Sequence, residues 1–321
     1  MPELTGFADQ TAIMNAIEEP EEIDHQFTVP LEELNVSRVE FETCTGMLPH
    51  GFFVKGERIQ DFTLKPFDPD QDLQLAGLYS NQKAELKQIL GAFLPNAIKS
   101  VGKYSLEELA KELSMKPEKV VEAMPLADAL TVVLNLRYTN VGAEVAVVGE
   151  QCQRCNTRNS DNPALGRPFH EISKVEIGIL EELPDKLVVE VVLDEGFKVG
   201  KNICKTVQMR PLRLYELSRL SKVPRGKMEL AIMFQQICGI PEASDLTNVP
   251  AIVFTDLYYK TLKKLGDRNL LLKASKELQK LGPDMNVAMS CFNCGWEWNA
   301  ALGWSDLSSF LFKTAEDMLE K

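Results

Sequence analysis

Two Cys-x-x-Cys motifs are the residues of this chain with the clearest chemistry. The first cysteine pair is Cys152 and Cys155, and the second cysteine pair is Cys291 and Cys294. A two-residue spacer lets both thiolates of a pair bind one ion, and two pairs complete a tetrahedral shell with no open position. Such a closed shell is typical of a structural zinc site. The four cysteines are therefore the predicted metal ligands, and Zn²⁺ is the predicted cofactor.

The separation of the pairs leaves the stoichiometry open. The 135 residues between Cys155 and Cys291 far exceed one compact zinc finger, so a shared ion would join two distant segments. One shared zinc, two separate sites and unmetallated thiols are the alternatives. Redox catalysis of the thioredoxin type needs a cysteine at a helix N-terminus. It is disfavoured, because neither 156–159 nor 295–298 resembles the start of a helix.

Each cysteine pair has the same position in a pattern that occurs twice. An aspartate, Asp128 or Asp267, lies 24 residues before the first cysteine of each pair. Further upstream, Gly51 and Gly196 each precede a proline by 15 residues. Such anchors, in the same order at nearly constant spacing, indicate an internal repeat. The zinc would then join the two copies.

Hydrophobic periodicity predicts the same order of elements in both copies. Alternating apolar residues indicate short antiparallel strands at 39–64 and 187–209. Spacings of three and four residues then predict helices, and Ser105 begins a capping box for one of them. Strands at 144–148 and 285–289 lead into the cysteine pairs. This order predicts the α+β class, with two tandem related modules that each end in a β-hairpin zinc knuckle.

The predicted domains are an acidic N-terminal arm at 1–38, a first module at 39–180 and a second module at 185–321. Within the arm, residues 18–24 hold five acids in seven positions. Such a run is typical of a solvated, extended segment. The alternative is an arm that becomes ordered on a partner.

Composition excludes several classes of protein. A length of 321 residues allows two domains, and an apolar fraction of 45% is ordinary for a folded protein. No apolar run reaches the roughly 18 residues of a spanning helix, and the start of the chain lacks the pattern of a secretory signal. Seven cysteines, four of them in tight pairs, favour metal binding in a reducing compartment. A net charge of −12 opposes binding to phosphates, so neither nucleic acid nor membrane is a predicted partner.

No other group of residues predicts catalysis, so we expect a protein without enzymatic activity. The three histidines lie beside no nucleophile or metal motif: His25, His50 and His170. The remaining cysteines are predicted to be small buried apolar side chains: Cys44, Cys204 and Cys238. Three tryptophans after the second cysteine pair are predicted to cover the metal site, with an exposed interface as the alternative: Trp296, Trp298 and Trp304.

Passages around both cysteine pairs resemble a known family. Residues 281–297, with 306–312 closer to the end, resemble the end of the baseplate hub proteins of T-even-type contractile-tailed bacteriophages. Residues 134–144, ahead of the first cysteine pair, resemble the corresponding passage of the first half of that family. The similarity spans 39–321 in plan, and its specific residues surround the cysteine pairs.

The resemblance implies a virion-assembly protein without enzymatic activity, either a component of the baseplate hub or a factor in its assembly. The implied partners are other phage baseplate and tail proteins, and a homo-oligomer is compatible with that role. The implied location is the virion tail baseplate, or the host cytoplasm during assembly. The alternative hypothesis is a zinc-ribbon regulatory or adaptor protein.

Overall fold

The computed structural model describes residues 28–34, 36–40, 45–65, 94–140, 142–180, 187–199, 201–216, 228–243 and 264–302. Within these ranges strands predominate and α-helices accompany them, which confirms the α+β class. None of the helices in these ranges has the length and hydropathy that crossing a bilayer would take. The following predictions lie outside the described residues: the arm up to residue 27, the helices at 86–93, 217–220 and 254–263, Cys44, His25, Trp304 and the passage 306–312.

The described residues divide into two compact units. The cysteine unit, which contains all four predicted ligands, is drawn from Val36–Leu180, Arg213–Tyr215 and Lys280–Lys321. The companion unit is drawn from Met1–Asn35, Glu181–Leu212 and Glu216–Gln279. The chain therefore changes unit near the predicted module boundary at 180–185. It changes again at 280, so both cysteine pairs belong to one unit.

The described part of the cysteine unit forms three sheets with antiparallel neighbours, in the orders β3-β4-β5-β6, β13-β9-β2 and β14-β15-β7-β8. Its strands are β2 (Val36–Glu40), β3 (Thr45–Val54), β4 (Glu57–Leu64), β5 (Ile98–Val101), β6 (Tyr104–Ser105), β7 (Glu144–Val148), β8 (Phe169–Glu171), β9 (Glu176–Leu180), β13 (Gly282–Pro283), β14 (Asn286–Ser290) and β15 (Glu297–Leu302). Its helices are α1 (Leu106–Glu112), α2 (Pro117–Ala123) and α3 (Leu126–Asn140).

Local sequence explains where these helices begin and which of them forms the core. The predicted capping box starts α1: Ser105 Oγ accepts from the Glu108 N–H at 3.2 Å, and Glu108 Oε2 accepts from the Ser105 N–H at 2.9 Å. Pro117 occupies the first position of α2, where a missing N–H costs nothing. Helix α3 is buried along most of its length, with Val133 and Leu136 fully enclosed, and it therefore forms the centre of the core.

The described part of the companion unit is one sheet with two α-helices. The strand order is β1-β10-β11-β12, in which β1 is parallel to β10 and the other pairs are antiparallel. Its strands are β1 (Thr28–Pro30), β10 (Val188–Val199), β11 (Asn202–Met209) and β12 (Ile237–Gly239). Its helices are α4 (Met228–Gln236) and α5 (Leu265–Gln279). The described end of the predicted acidic arm thus forms strands, β1 in this unit and β2 in the other.

The main hairpins of the two units have the same turn and the same second strand after a constant offset. Strand β3 ends at residue 54 and β10 ends at 199, a difference of 145, and in each unit the next strand begins three residues later and spans eight residues. A third strand pairs in the same register, because Leu64 faces Ile98 and Met209 faces Ile237. The offset of 139 in this last pair matches that of the cysteine pairs.

Each hairpin also has a register shift at the glycine that the sequence pattern singles out. The shift in β3 lies before Phe52 and the shift in β10 before Phe197. The φ angles of Gly51 and Gly196 are +72° and +70°. A Cβ would lie 2.2 Å from a backbone oxygen at Gly51 and 2.4 Å from one at Gly196. Only glycine fits at these bulges.

A buried aspartate binds this bulge in each unit. Asp128 and Asp267 are the third residues of α3 and α5, with exposures of 0% and 1%. Asp128 accepts from the N–H of Gly51 at 3.0 Å and from that of His50 at 2.7 Å. Asp267 accepts from the N–H of Gly196 at 3.0 Å and from that of the residue before it at 3.2 Å. The positive helix N-terminus and two backbone donors stabilise each buried carboxylate.

Candidate metal centre

The first cysteine pair lies in a tight turn after β7, which we call the first knuckle (residues 152–157). The Cys152 N–H donates to the Thr157 carbonyl at 2.9 Å, and the Asn156 N–H donates to the Cys152 carbonyl at 2.8 Å. Asn156 has a φ of +57°, a left-handed conformation that asparagine tolerates better than most residues. A bridge between Gln151 and Arg158 closes the base of the turn.

The second cysteine pair lies in a turn of the same kind, the second knuckle (residues 291–296), which connects β14 to β15. The Cys291 N–H donates to the Trp296 carbonyl at 2.8 Å, and the Gly295 N–H donates to the Cys291 carbonyl at 2.9 Å. Gly295 has a φ of +67° at the position that corresponds to Asn156. The two knuckles therefore share their backbone hydrogen bonds and their left-handed residue.

One sheet presents both knuckles at the same end. Strand β15 is antiparallel to β14 and to β7, with Ala301 opposite Val148 and Leu302 opposite Val147. Strands β14 and β7 therefore run in the same direction. Strand β14 runs directly into its knuckle, and β7 reaches its knuckle after three further residues. This arrangement brings together thiols that are about 140 positions apart in the sequence.

The four thiol sulfurs form a closed cluster in which all lie within 4.8 Å of one another. The Cys152 and Cys294 sulfurs are 3.6 Å apart, and the Cys155 and Cys291 sulfurs are 3.5 Å apart. Zn–S bonds of about 2.3 Å place the sulfurs of a regular tetrahedron about 3.8 Å apart. A disulfide bond needs only about 2.05 Å. The cluster therefore has the dimensions of a site for one tetrahedral ion.

Burial is distributed in the same way within the two pairs. Cys152 and Cys291, the first cysteines of the two pairs, are 0% and 3% exposed, respectively. Cys155 and Cys294, the second cysteines, are half-buried. The cluster thus has a closed inner side and an outer side close to solvent. An ion could enter from the outer side, and the buried side would exclude water from its bonds to sulfur.

The outer thiols have opposite electrostatic environments. The Thr157 hydroxyl, 3.3 Å from Cys155 Sγ, and the Thr157 backbone N–H stabilise the thiolate and lower the pKa of Cys155 to about 6. The Trp296 backbone N–H favours the Cys294 thiolate, but burial and the neighbouring thiols outweigh it and raise the pKa of Cys294 to about 12. Several negative charges on neighbouring sulfurs repel one another, which disfavours deprotonation of all four thiols. A divalent cation would offset this repulsion and bind the sulfurs as thiolates.

Contacts that need no metal also connect the knuckles. The buried Asn159 side chain donates to the Ser290 carbonyl at 3.0 Å, which links the end of the first knuckle to β14. Trp298 Nε1 donates to the Gly149 carbonyl at 3.0 Å. The Arg154 guanidinium lies 5.8 Å from the centre of the Trp296 ring, a cation–π contact between the knuckle tips.

The structure brings together all four cysteines that the sequence predicts as ligands. Asn293 Nδ2 donates to the Thr157 hydroxyl at 3.1 Å, across the two knuckles. The supporting residues Thr157, Asn159 and Asn293 are absent from the prediction, because nothing in their local sequence distinguishes them from other polar turn residues. The prediction that Trp296 covers the site is wrong, since this side chain is 46% exposed, whereas Trp298 is half-buried beside the first knuckle.

None of the other described cysteines and histidines belongs to the four-thiol cluster. Cys204 is fully buried, as predicted, and Cys238 is half-buried, with its thiol directed to the Gln208 carbonyl at 3.5 Å. His50 is buried against Asp128. His170 lies on β8, where burial lowers its pKa.

Comparisons with protein-family models, with curated protein sequences and with solved structures find no match.

Proposed function

We propose that this chain is a non-enzymatic structural and interaction protein in which one zinc ion, held by both cysteine pairs, fastens two distant segments together. The closed set of four thiols within 4.8 Å carries this proposal. Four protein ligands leave no position for a substrate or a reactive water, which is the usual arrangement in structural zinc sites. All-thiolate ligands also favour zinc over magnesium or calcium.

The two segments are, on this proposal, the ends of two related modules. The matching hairpin turns and second strands, the shared third-strand register and the matching aspartates support it. The two knuckles add the same hydrogen bonds and the same left-handed residue. The second knuckle, which ends the second module, lies in the cysteine unit together with the first knuckle. On this proposal, the shared ion therefore joins the ends of the two modules.

Metal analysis of the purified chain tests the centre. We expect one zinc per chain by elemental mass spectrometry, and loss of that zinc in Cys291→Ser. Cys238→Ser is the matched control, because Cys238 lies in the companion unit, and this variant should keep its zinc. Two zinc ions per chain would indicate separate sites. A chain with no stoichiometric zinc and four fully reactive thiols would refute the zinc proposal.

For the biological role, we propose a component or an assembly factor of the baseplate hub of a contractile-tailed bacteriophage. The resemblance of 134–144 and 281–297 to that family supports this role. The net charge of −12 suits docking onto a basic protein surface. The partners would be other baseplate and tail proteins, in the virion or in the host cytoplasm during assembly.

Co-purification with baseplate proteins and mass spectrometry of intact virions test this role. A hub component should be present in the virion, whereas an assembly factor should bind baseplate proteins and be absent from it. A chain that binds no baseplate protein, but retards a DNA fragment at physiological salt, would favour a zinc-ribbon regulatory or adaptor protein instead.

A further inference from the structure

Two sulfur–sulfur contacts within the four-thiol cluster run between the knuckles. Among the described residues, the two thiol–thiol contacts that have hydrogen-bond geometry join Cys152 to Cys294 and Cys155 to Cys291, at 3.6 and 3.5 Å. Each of these sulfur–sulfur distances would have to shorten by only about 1.5 Å to reach the length of a disulfide bond. Thiols of opposite knuckles are therefore placed for covalent bonding.

The backbone of each knuckle keeps its own pair in a ligand arrangement. The pairs that form a disulfide within Cys-x-x-Cys in redox enzymes lie at a helix N-terminus. Here, each turn instead bends around its first cysteine through hydrogen bonds from Cys152 to Thr157 and from Cys291 to Trp296. Neither pair therefore has the helix N-terminal position of a redox-active Cys-x-x-Cys.

The facing positions of the knuckles do not depend on a metal ion. The hydrogen bonds from Asn159 to Ser290 and from Trp298 to Gly149 connect the segments on either side of the thiols. These contacts keep opposing thiols at a high effective concentration after an ion is removed.

We propose that mild oxidation of the metal-free chain forms crosswise disulfides, Cys152 with Cys294 and Cys155 with Cys291, instead of disulfides within each pair. A covalent link then replaces the metal link between the same two segments. The proposal deepens the proposed function, because it assigns the cluster a second way to hold these segments when metal is scarce.

With hydrogen peroxide as the oxidant, the chemistry of each link balances. A thiolate attacks one peroxide oxygen, the O–O bond breaks, and a sulfenic acid forms while hydroxide leaves and takes up a proton to become water. The opposing thiol then attacks the sulfenic sulfur, the S–S bond forms and a second water leaves. In sum, two thiols and one peroxide give one disulfide and two waters.

Peptide mapping of the full chain tests the pairing. The chain is stripped of metal with a chelator, treated with two equivalents of hydrogen peroxide and blocked with an alkylating agent. Trypsin cuts after Arg154, between the cysteines of the first pair, and chymotrypsin cuts after Phe292, between those of the second pair. Each of the four cysteines is then on its own peptide, so mass spectrometry without reduction identifies every pairing.

We expect two cross-linked species, one with Cys152 and Cys294 and one with Cys155 and Cys291. Disulfides within the pairs, links between separate chains, or sulfinic acids without disulfides would each overturn the proposal. The same digest also identifies any disulfide formed by the other cysteines. Zinc content is measured before stripping, so a failure of the zinc proposal would appear there and leave the pairing map interpretable.

Two double variants provide a matched comparison. Cys152→Ser with Cys294→Ser keeps one crosswise pair, whereas Cys291→Ser with Cys294→Ser keeps one pair within a knuckle. We expect the first to form its disulfide at least about tenfold faster, because the facing thiols have the higher effective concentration. Equal rates would contradict the proposal, and circular dichroism establishes that both variants are folded.

Discussion

Asp128 accepts a 3.0 Å hydrogen bond from the backbone N–H of Gly51, a residue 77 positions earlier in the chain. The same relationship, also at 3.0 Å, links Asp267 to Gly196 across 71 positions. In each unit the first turn of a helix is thereby tied to the bulge of a hairpin. This tertiary contact explains why an aspartate and a glycine have matching places in the two halves of the sequence.

Replacing either aspartate with alanine should destabilise its own unit. Asp128→Ala or Asp267→Ala removes a buried carboxylate and leaves two backbone N–H groups without an acceptor. We expect a loss of about 3 kcal/mol in the free energy of unfolding, measured by urea denaturation. Glu107→Ala is the control, since Glu107 is an exposed acid in the first turn of α1 and should change stability by less than about 0.5 kcal/mol. An aspartate variant as stable as this control would contradict the assigned contact.

Replacing the bulge glycine separates steric conflict from backbone strain. Gly51→Ala places a Cβ 2.2 Å from the Ile59 carbonyl oxygen, whereas Gly56→Ala, also at positive φ, meets nothing within 4 Å. We expect Gly56→Ala to lose about 1 kcal/mol, the cost of the left-handed conformation alone. Gly51→Ala should lose at least about 2 kcal/mol more, by analogy with overpacked cores. Equal losses of stability for the two variants in thermal denaturation would show that the bulge accommodates the added Cβ at no further cost, and would contradict the steric conflict.

The Thr157 hydroxyl should support metal binding by the first cysteine pair. It lies 3.3 Å from Cys155 Sγ and is the largest cause of the lowered pKa of that thiol. Thr157→Val keeps the shape but removes the hydroxyl, so we expect zinc affinity to fall by about tenfold in competition with a chromophoric chelator. Thr157→Ser retains the hydroxyl and should bind zinc as the parent does. Equal zinc affinities of the valine and serine variants would contradict the supporting role of the Thr157 hydroxyl.

Thiol reactivity in the metal-free chain should follow the opposite pKa shifts of the outer cysteines. Because the pKa of Cys155 is lowered to about 6, this thiol is mostly thiolate at pH 7, and its reactive fraction falls as the pH drops through 6. The pKa of Cys294, raised to about 12, keeps that thiol protonated and slow at the same pH. Of these two outer cysteines, timed alkylation at pH 7, followed by peptide mass spectrometry, should therefore label Cys155 before Cys294. The reverse order would contradict the assigned environments.

Sequence patterns were sufficient for features that depend on short spacing. The two-residue spacer identified the four cysteines of the thiol cluster, and the Ser105 capping box identified the start of α1. Alternation of apolar residues placed the strand before Cys152, because a half-buried strand must alternate its faces. The two aspartates that the spacing singled out lie at the same place in both units, where each binds the bulge of a hairpin.

Features that depend on distant partners were not predictable from spacing. Asn159 has an ordinary turn sequence, yet its partner Ser290 is 131 positions away. Likewise, the sequence places residues 280–302 at the end of a contiguous second module, but the structure pairs β15 with β7 and assigns this stretch to the cysteine unit. Sheet pairing of this kind depends on tertiary packing that no local pattern encodes.

The sheet that aligns the knuckles also determines when the metal centre can form during synthesis. Strands β14 and β15 are the last described elements to leave the ribosome, and the first cysteine pair emerges about 140 residues before the second. At roughly 5–20 residues per second, that interval is on the order of ten seconds. During this interval the nascent chain carries one half of the four-thiol cluster, so the last step of assembly of the cysteine unit waits for the second pair.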